Sequence, residues 1–314
     1  MIVPAFTDVV EAFARVRQFA HRTPIFTSES IDQLVGGRIY FKCENFQKAG
    51  AFKFRGAING VLSLTDEAAQ KGVCTHSSGN HAAALALAAR MRGIAAHVVM
   101  PENAPHSKKK ATAGYGAHIH FCEPTLEARE SALKNVVLET GAIEIHPYNN
   151  FEIIAGQGTA AKELLEAQPD LDMVLVPVGG GGLLSGSALS VRHLSPGTQL
   201  IGCEPEGADD AYRSFLKGEI VPSTNPRSIA DGLLTSLGEL NFAIIREQVD
   251  RIVTVSEESI IAAMRLVWER MKIIIEPSSA VPLAALLEAH VDPRDKKTGI
   301  IVSGGNLDLE TLPF

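Results

Sequence analysis

Two segments of this sequence carry residues whose type and spacing could do chemistry. In Val176-Pro-Val-Gly-Gly-Gly-Gly-Leu183 a β-branched run leads into Gly179, Gly180, Gly181 and Gly182, and then into a helical stretch at 184–192. Glycine lets backbone N–H groups turn toward one point, and the helix N-terminus adds positive potential. The loop is therefore an anion cradle that suits a phosphate without any Lys or Arg. A tight βα turn is the plain alternative, although four consecutive glycines are costly without a reason. A dinucleotide site is the other, because the next strand ends at Glu204, near the offset of a ribose-binding acid. The glycines do not fit G-x-G-x-x-G, since Leu184 or Ser185 fills the last position.

The second segment is Lys42-Cys-Glu-Asn-Phe-Gln-Lys-Ala-Gly-Ala-Phe-Lys-Phe-Arg-Gly-Ala57, where Lys53 follows the aromatic Phe52 and opens a helical stretch. A helix N-terminus and the neighbouring cation Arg55 both favour the unprotonated amine, which is the nucleophilic form. The alternative is a surface lysine on a helix. Further along, Glu204-Pro-Glu-Gly-Ala-Asp-Asp210 offers Glu204, Asp210 and the Ala208 carbonyl as hard oxygen ligands for Mg²⁺ or Ca²⁺; without a cation it is a solvated acidic turn. The other histidines show no metal spacing.

Such residues need a scaffold that brings distant segments together. Short β-branched runs at 38–42, 72–75, 96–100, 118–121, 173–178, 200–203, 252–255 and 299–302 alternate with helical patterns such as 82–91, 127–139, 152–167, 260–272 and 282–289. The alternation predicts parallel sheets covered by helices on both faces, with ligands beyond the carboxyl ends of the strands. Ser77-Ser78-Gly79-Asn80, the tetraglycine and Ser303-Gly304-Gly305-Asn306 each follow such a strand, so three strand ends can converge on one cleft.

Composition narrows the classes. A chain of 314 residues with 46% hydrophobic and 21% charged residues can bury a sizeable core, as two compact domains or one large α/β unit. Its net charge of −7 leaves no basic footprint, which argues against a nucleic-acid partner. No apolar run reaches the ~18 residues of a membrane span, and no basic segment followed by an apolar core suggests a signal peptide. Cys43, Cys74, Cys122 and Cys203 are scattered without a CxxC pair, as expected of reduced thiols in a cytoplasmic protein.

Segment 44–57 resembles the cofactor-lysine signature of fold-type II pyridoxal-phosphate enzymes, the tryptophan synthase β-like class. More closely, Thr75-His-Ser-Ser-Gly-Asn-His81, Ala155-Gly-Gln-Gly-Thr159, the tetraglycine, Glu276-Pro-Ser-Ser-Ala280 and Ser303-Gly-Gly-Asn306 resemble those of serine racemases and serine/threonine dehydratases. The likeness runs from about Arg22 to Leu309, with the motifs in the expected order. It implies an α/β fold of two doubly wound domains: residues 1–68 and 150–314 as a large cofactor-binding domain and 69–149 as a small one, in a homodimer.

The same resemblance implies roles. Lys53 would form the internal aldimine of pyridoxal 5'-phosphate, Phe52 would pack on the ring, and Asn80 would hydrogen-bond the ring hydroxyl. Gly179, Gly180, Gly181, Gly182 and Leu183 would hold the phosphate, and Ser303 would face the ring nitrogen. Ser77, Ser78, Asn80 and His81 would receive the substrate carboxylate, with Thr235 as a further substrate contact. Arg129, otherwise a solvated helix residue between Glu127 and Glu130, could swing in to meet a second carboxylate. The Glu-x3-Ala-x-Asp spacing of Glu204, Ala208 and Asp210 resembles the structural cation site of serine racemases. Two positions depart from the pattern: Ala51 stands where the group usually has Ser, and Tyr148 where serine racemases can have Asn.

On this reading the substrate amine displaces Lys53, which then removes the α-proton. A serine at the ring nitrogen supplies no charged partner, so the carbanion is less delocalised than with an aspartate, and a β-hydroxyl leaves promptly. The expected activity is that of a serine/threonine dehydratase with serine racemase activity, acting on small β-hydroxy amino acids. Ser78 would serve the second face of the carbanion. The alternatives are a 3-hydroxyaspartate dehydratase (ammonia-lyase) and a non-catalytic amino-acid or nucleotide sensor. Intact Lys53, Asn80 and tetraglycine argue against the sensor, and no regulatory domain is expected after Leu309.

Overall fold

The computed structural model describes residues 2–104 and 106–314, apart from the side chains of Ser107 and Leu126. In chain order its strands are β1 (Ile25–Phe26), β2 (Arg38–Cys43), β3 (Val73–His76), β4 (Ala96–Pro101), β5 (His118–Cys122), β6 (Ile143–Glu144), β7 (Met173–Pro177), β8 (Gln199–Pro205), β9 (Arg251–Val255) and β10 (Lys297–Val302). They form a six-stranded sheet in the order β1-β2-β10-β7-β8-β9 and a four-stranded sheet in the order β5-β4-β3-β6. Every pairing is parallel except that of β1 with β2. Helices line both faces of the larger sheet, where two separate apolar clusters form the core. The expected class, α/β with two doubly wound sheets, is the observed one.

The apolar runs read as strands because a parallel sheet is buried on both faces. All five residues of β7, Met-Val-Leu-Val-Pro, are buried. The eight expected strands are present with small shifts at their ends. The two unexpected ones, β1 and β6, have two residues each, too few for any alternation to register. The helix expected from 282 instead begins at Pro277, with Glu276 as its N-cap. Proline is preorganised for the first helical position and lacks only an N–H that would have gone unused. The helix Phe6–Val16 was not among the expected elements.

Strand order sets the site. β2, β10 and β7 are neighbours, with Val302 opposite Cys43 and Ile300 opposite Leu175. The segments that follow these strands carry Lys53, Ser303 and the tetraglycine, so all three emerge at one edge. Ala155-Gly-Gln-Gly-Thr159 serves this arrangement by close packing. A Cβ on Gly156 would lie 2.7 Å from the Gly56 Cα, and one on Gly158 would lie 2.7 Å from the Gly186 carbonyl oxygen. Helices Lys53–Leu62, Phe151–Ala167 and Gly182–Leu194 approach this closely because those side chains are absent. Among the described residues, no helix is long and apolar enough to cross a membrane.

Candidate active site

Lys53 begins the helix Lys53–Leu62, with Phe52 as its N-cap. The preceding turn is tied to the end of β10: Phe52 N donates to the Ser303 carbonyl at 2.9 Å, and Ala51 bridges to Gly304. Lys53 Nζ donates to the Pro147 carbonyl at 2.9 Å and lies 5.1 Å from the Phe52 ring centroid. Burial pushes its pKa down to about 8, against the opposing pull of the Glu276 carboxylate. An amine so tuned is partly unprotonated near neutral pH and can add to an aldehyde.

Arg55 does not contribute to that tuning as expected. Its guanidinium is fully buried and turned away, donating to Glu44 at 2.7 and 2.8 Å and to Glu163 at 3.0 and 2.8 Å. Lys42 completes the group with a 2.7 Å bond to Glu163. Two cations facing two carboxylates cancel at the distance of Lys53, so burial dominates there.

The glycine loop meets the phosphate requirement. Gly181 has φ 92°, a region open to glycine, and caps the helix Gly182–Leu194. A Cβ on Gly179 would lie 2.8 Å from the Leu233 Cα, and one on Gly180 would enter the Tyr148 ring at 2.4 Å. The N–H groups of Gly179, Gly180 and Gly181 donate to no acceptor among the described residues, and those of the first helical turn are free by geometry. The Gly180 carbonyl is held at 2.7 Å by Asn241 Nδ2, which keeps the N–H side facing outward. Together with Lys53, this cradle fits pyridoxal phosphate.

Ser77, Ser78, Gly79 and Asn80 form the half-buried turn between β3 and the helix Asn80–Arg92. Asn80 Nδ2 donates to both Glu276 oxygens at 3.0 Å, and its Oδ1 accepts from Asn306 Nδ2 at 3.0 Å. These bonds join the smaller sheet to the N-cap of the helix Pro277–Leu287 and to the segment after β10. Ser303 Oγ lies 2.9 Å from Ser279 Oγ and is nearly buried. Glu276, to which no role was attached, is buried beside Gly304, and burial raises its pKa to about 7. His81 is the second residue of the helix Asn80–Arg92. Its ring is buried, Nε2 is bonded to the Ile145 carbonyl at 3.0 Å, and burial lowers its pKa to about 3. Only its main-chain N–H, in the first helical turn, can meet a carboxylate.

At the outer side, the Tyr148 ring lies on the glycine loop, with Thr235 near its phenol. Arg129 is half-buried, and its charge is felt at His76 and Tyr148. His146 was also missed by sequence reading; its ring stands edge-on to Tyr148 at 4.6 Å and to His76 at 5.9 Å.

Glu204 and Asp210 form a separate buried pair. Glu204 accepts the N–H groups of Ala211 and Tyr212 at 3.1 and 2.9 Å, and Asp210 Oδ2 accepts that of Leu237 at 2.9 Å. Asp210 Oδ1 is buried without a partner. Burial raises both carboxyl pKa values, that of Asp210 to about 6. No third His, Cys, Asp or Glu joins them among the described residues, so another ligand would have to be a carbonyl such as that of Ala208. The bare oxygen and the raised pKa values fit a hard cation.

Residues 16–304 match the family model described as pyridoxal-phosphate dependent enzyme. The chain is 50% identical to serine racemase of Dictyostelium discoideum, over 99% of this chain and 98% of that protein. It is 48% identical to beta-hydroxyaspartate dehydratase of Paracoccus denitrificans (strain Pd 1222), over the full length of both. The crystal structure of T.th. threonine deaminase superposes with a TM-score of 0.93 at 45% identity, covering 98% of this chain and 99% of that one. With the lysine and the glycine cradle in place, these likenesses settle the class: the chain belongs to the pyridoxal-phosphate dependent enzymes of fold type II.

Proposed function

We propose that this enzyme eliminates water from L-serine or L-threonine, giving pyruvate or 2-oxobutyrate plus ammonia, and interconverts the serine enantiomers as a companion activity. The reading is carried by Lys53, a half-buried amine of lowered pKa beside a glycine cradle. It is supported by the names of the similar proteins, serine racemase and threonine deaminase. When bound at Lys53, pyridoxal phosphate supplies the electron withdrawal that acidifies the proton on the substrate Cα. Gly179, Gly180, Gly181, Gly182 and Leu183 would hold its phosphate through N–H groups, Asn80 its ring hydroxyl and Ser303 its ring nitrogen, with Phe52 against the ring. Lys53 takes the α-proton as general base. Ser77, Ser78, Asn80 and the His81 N–H would orient the substrate carboxylate, and Ser78 would exchange a proton on the face opposite Lys53. Assaying 2-oxo acids and both enantiomers from a panel of β-hydroxy amino acids tests the reading; no 2-oxo acid from any of them sinks it. In the same assay, Ser78→Ala is expected to keep L-serine elimination and lose D-serine formation. Enantiomer exchange at the wild-type rate would take Ser78 out of this role.

A second reading, 3-hydroxyaspartate as the preferred substrate, is favoured by Arg129, whose charge reaches the cleft at His76 and Tyr148. Thr235, near the Tyr148 phenol, would be a further contact for such a substrate. The Paracoccus protein named beta-hydroxyaspartate dehydratase supports it. Arg129→Ala should then cost the dicarboxylic substrate about ten- to a hundredfold in affinity, the worth of a charge-assisted bond, and serine far less. Equal losses on both would make Arg129 structural.

We further propose Mg²⁺ or Ca²⁺ at Glu204, Asp210 and the Ala208 carbonyl. A cation bound only by the folded state stabilises it by mass action. Chelation should therefore lower the melting temperature, and Glu204→Gln should blunt the recovery on adding either ion. An unchanged melting profile after proven metal removal would leave the pair a cation-free turn. Residues 69–149 are proposed as the small domain; the smaller sheet draws its strands from Val73–Glu144. The unpaired state of all four cysteines supports a cytoplasmic setting, and the homodimer rests on the family resemblance.

A further inference from the structure

His146 lies in the passage from β6 to the helix Phe151–Ala167. Its Nδ1 accepts two main-chain N–H groups, from Tyr148 at 3.3 Å and from Asn149 at 2.9 Å. A ring nitrogen that accepts carries no hydrogen, so the neutral imidazole must hold its proton on Nε2. Burial, with His76 and Lys53 nearby, pushes the pKa down to about 4, and the ring is neutral at physiological pH. Nε2 meets no acceptor among the described residues and is not sealed from solvent. The neighbours of the ring place it at the cleft. It stacks edge-on with His76 and Tyr148, and the next residue, Pro147, holds Lys53 Nζ through its carbonyl.

The other histidines nearby are committed or unaligned. His81 Nε2 is bonded to the Ile145 carbonyl, and His76 has no bond that fixes its tautomer. We propose that His146 is a further catalytic residue of the elimination, donating a hydrogen bond from Nε2 to the substrate β-oxygen as the Cβ–O bond breaks. This assignment rests on the dehydratase reading. In the balanced step, Lys53 Nζ takes the α-proton and the Cα–H electron pair becomes the new Cα–Cβ bond. The Cβ–O pair leaves with the oxygen. Lys53 returns the proton to that oxygen, so water departs and the lysine is neutral again. His146 gives up no proton; it steadies the negative charge on oxygen before that proton arrives. A neutral imidazole suits this task because its charge state does not change through the step.

The leaving group provides the test. Chloride departs from 3-chloro-L-alanine without needing a proton or a donor, whereas hydroxide needs both. His146→Asn keeps an acceptor for the N–H two residues on, as in an Asx-turn, and removes the Nε2–H. In the holoenzyme, this variant should lose about a hundredfold in kcat on L-serine, the usual worth of one such donor. Its loss on 3-chloro-L-alanine should be at least about tenfold smaller on the same scale. The visible absorbance of the bound cofactor should match wild type, which separates lost chemistry from lost cofactor. Equal losses on the two substrates would overturn the proposal and make His146 a turn former only, with the dehydratase reading intact; so would no loss on either. A wild type that releases chloride but dehydrates no β-hydroxy amino acid would overturn the dehydratase reading and this assignment with it.

Discussion

Lys53→Ala protein is expected to show no turnover and no visible cofactor absorbance. The variant removes the amine that binds the aldehyde and the base that moves the α-proton, and loss of the base alone is worth about two to four orders of magnitude. No neighbouring lysine can substitute. Lys42 is buried and bonded to Glu163 and to the Thr23 carbonyl, and Lys108 is paired with Asp231 across the cleft. Release of 2-oxo acid and the absorbance spectrum after cofactor addition check this. A variant that keeps both activity and colour would refute the assignment of Lys53.

Arg55→Met should destabilise the fold more than any other single change beneath the site. Met matches the apolar part of the chain but leaves Glu44 and Glu163, both buried, with Lys42 as their only cation among the described residues. Removing one partner from a buried ionic group costs about 3–5 kcal/mol, because the remaining charges stay buried without compensation. The pH dependence has a definite sign. In the wild type, burial pushes the Glu44 pKa up, but the charge and hydrogen bonds of Arg55, with Lys42 and Thr23, outweigh it and leave the carboxyl below its usual value. A lowered folded-state pKa contributes stability above the unfolded value, and that stability is lost as pH falls through the folded one. In Arg55→Met the carboxylates lose that partner and burial prevails, so the deficit should be greatest near neutral pH and shrink in acid. Urea unfolding across pH measures this. A deficit under about 1 kcal/mol at pH 7, or one that grows in acid, would contradict it. Because Lys53 lies two residues from Arg55 on the same helix, reduced cofactor retention should accompany the loss of stability.

Much of this was legible in the chain. The buried runs of a parallel sheet are continuous and apolar, so eight strands could be read without any partner in view. Helix ends were less legible, since Pro282 looked like a start while Pro277 is the residue that begins the turn. Among the site residues, Lys53 and the tetraglycine carry their chemistry in local order, as an amine at a helix start and a run without side chains before another helix. That order is preserved in any fold that forms those two helices.

Tertiary structure decided how each polar atom is spent. Arg55 looked like a neighbour that would depress the Lys53 pKa, yet its partners come from residues 11 and 108 positions away and cancel its charge. His81 sits in a motif that suggested a substrate ligand, and because the Ile145 carbonyl, 64 residues distant, takes its ring N–H, the main-chain N–H is the group left for that role. His146 stood in no motif at all, and its proton is assigned by two N–H groups that only this turn points at Nδ1. Spacing along the chain encodes which side chains share a helix face or follow a strand, because those distances are set by the local backbone. Burial and the direction of a hydrogen bond depend on atoms contributed by remote segments. By itself the sequence determined the family and the parallel sheets, and it marked the lysine and the glycine run on which the proposed function rests. The fold alone decided which neighbouring groups are free to act and which are held by the scaffold, because only chain closure brings their partners within bonding distance.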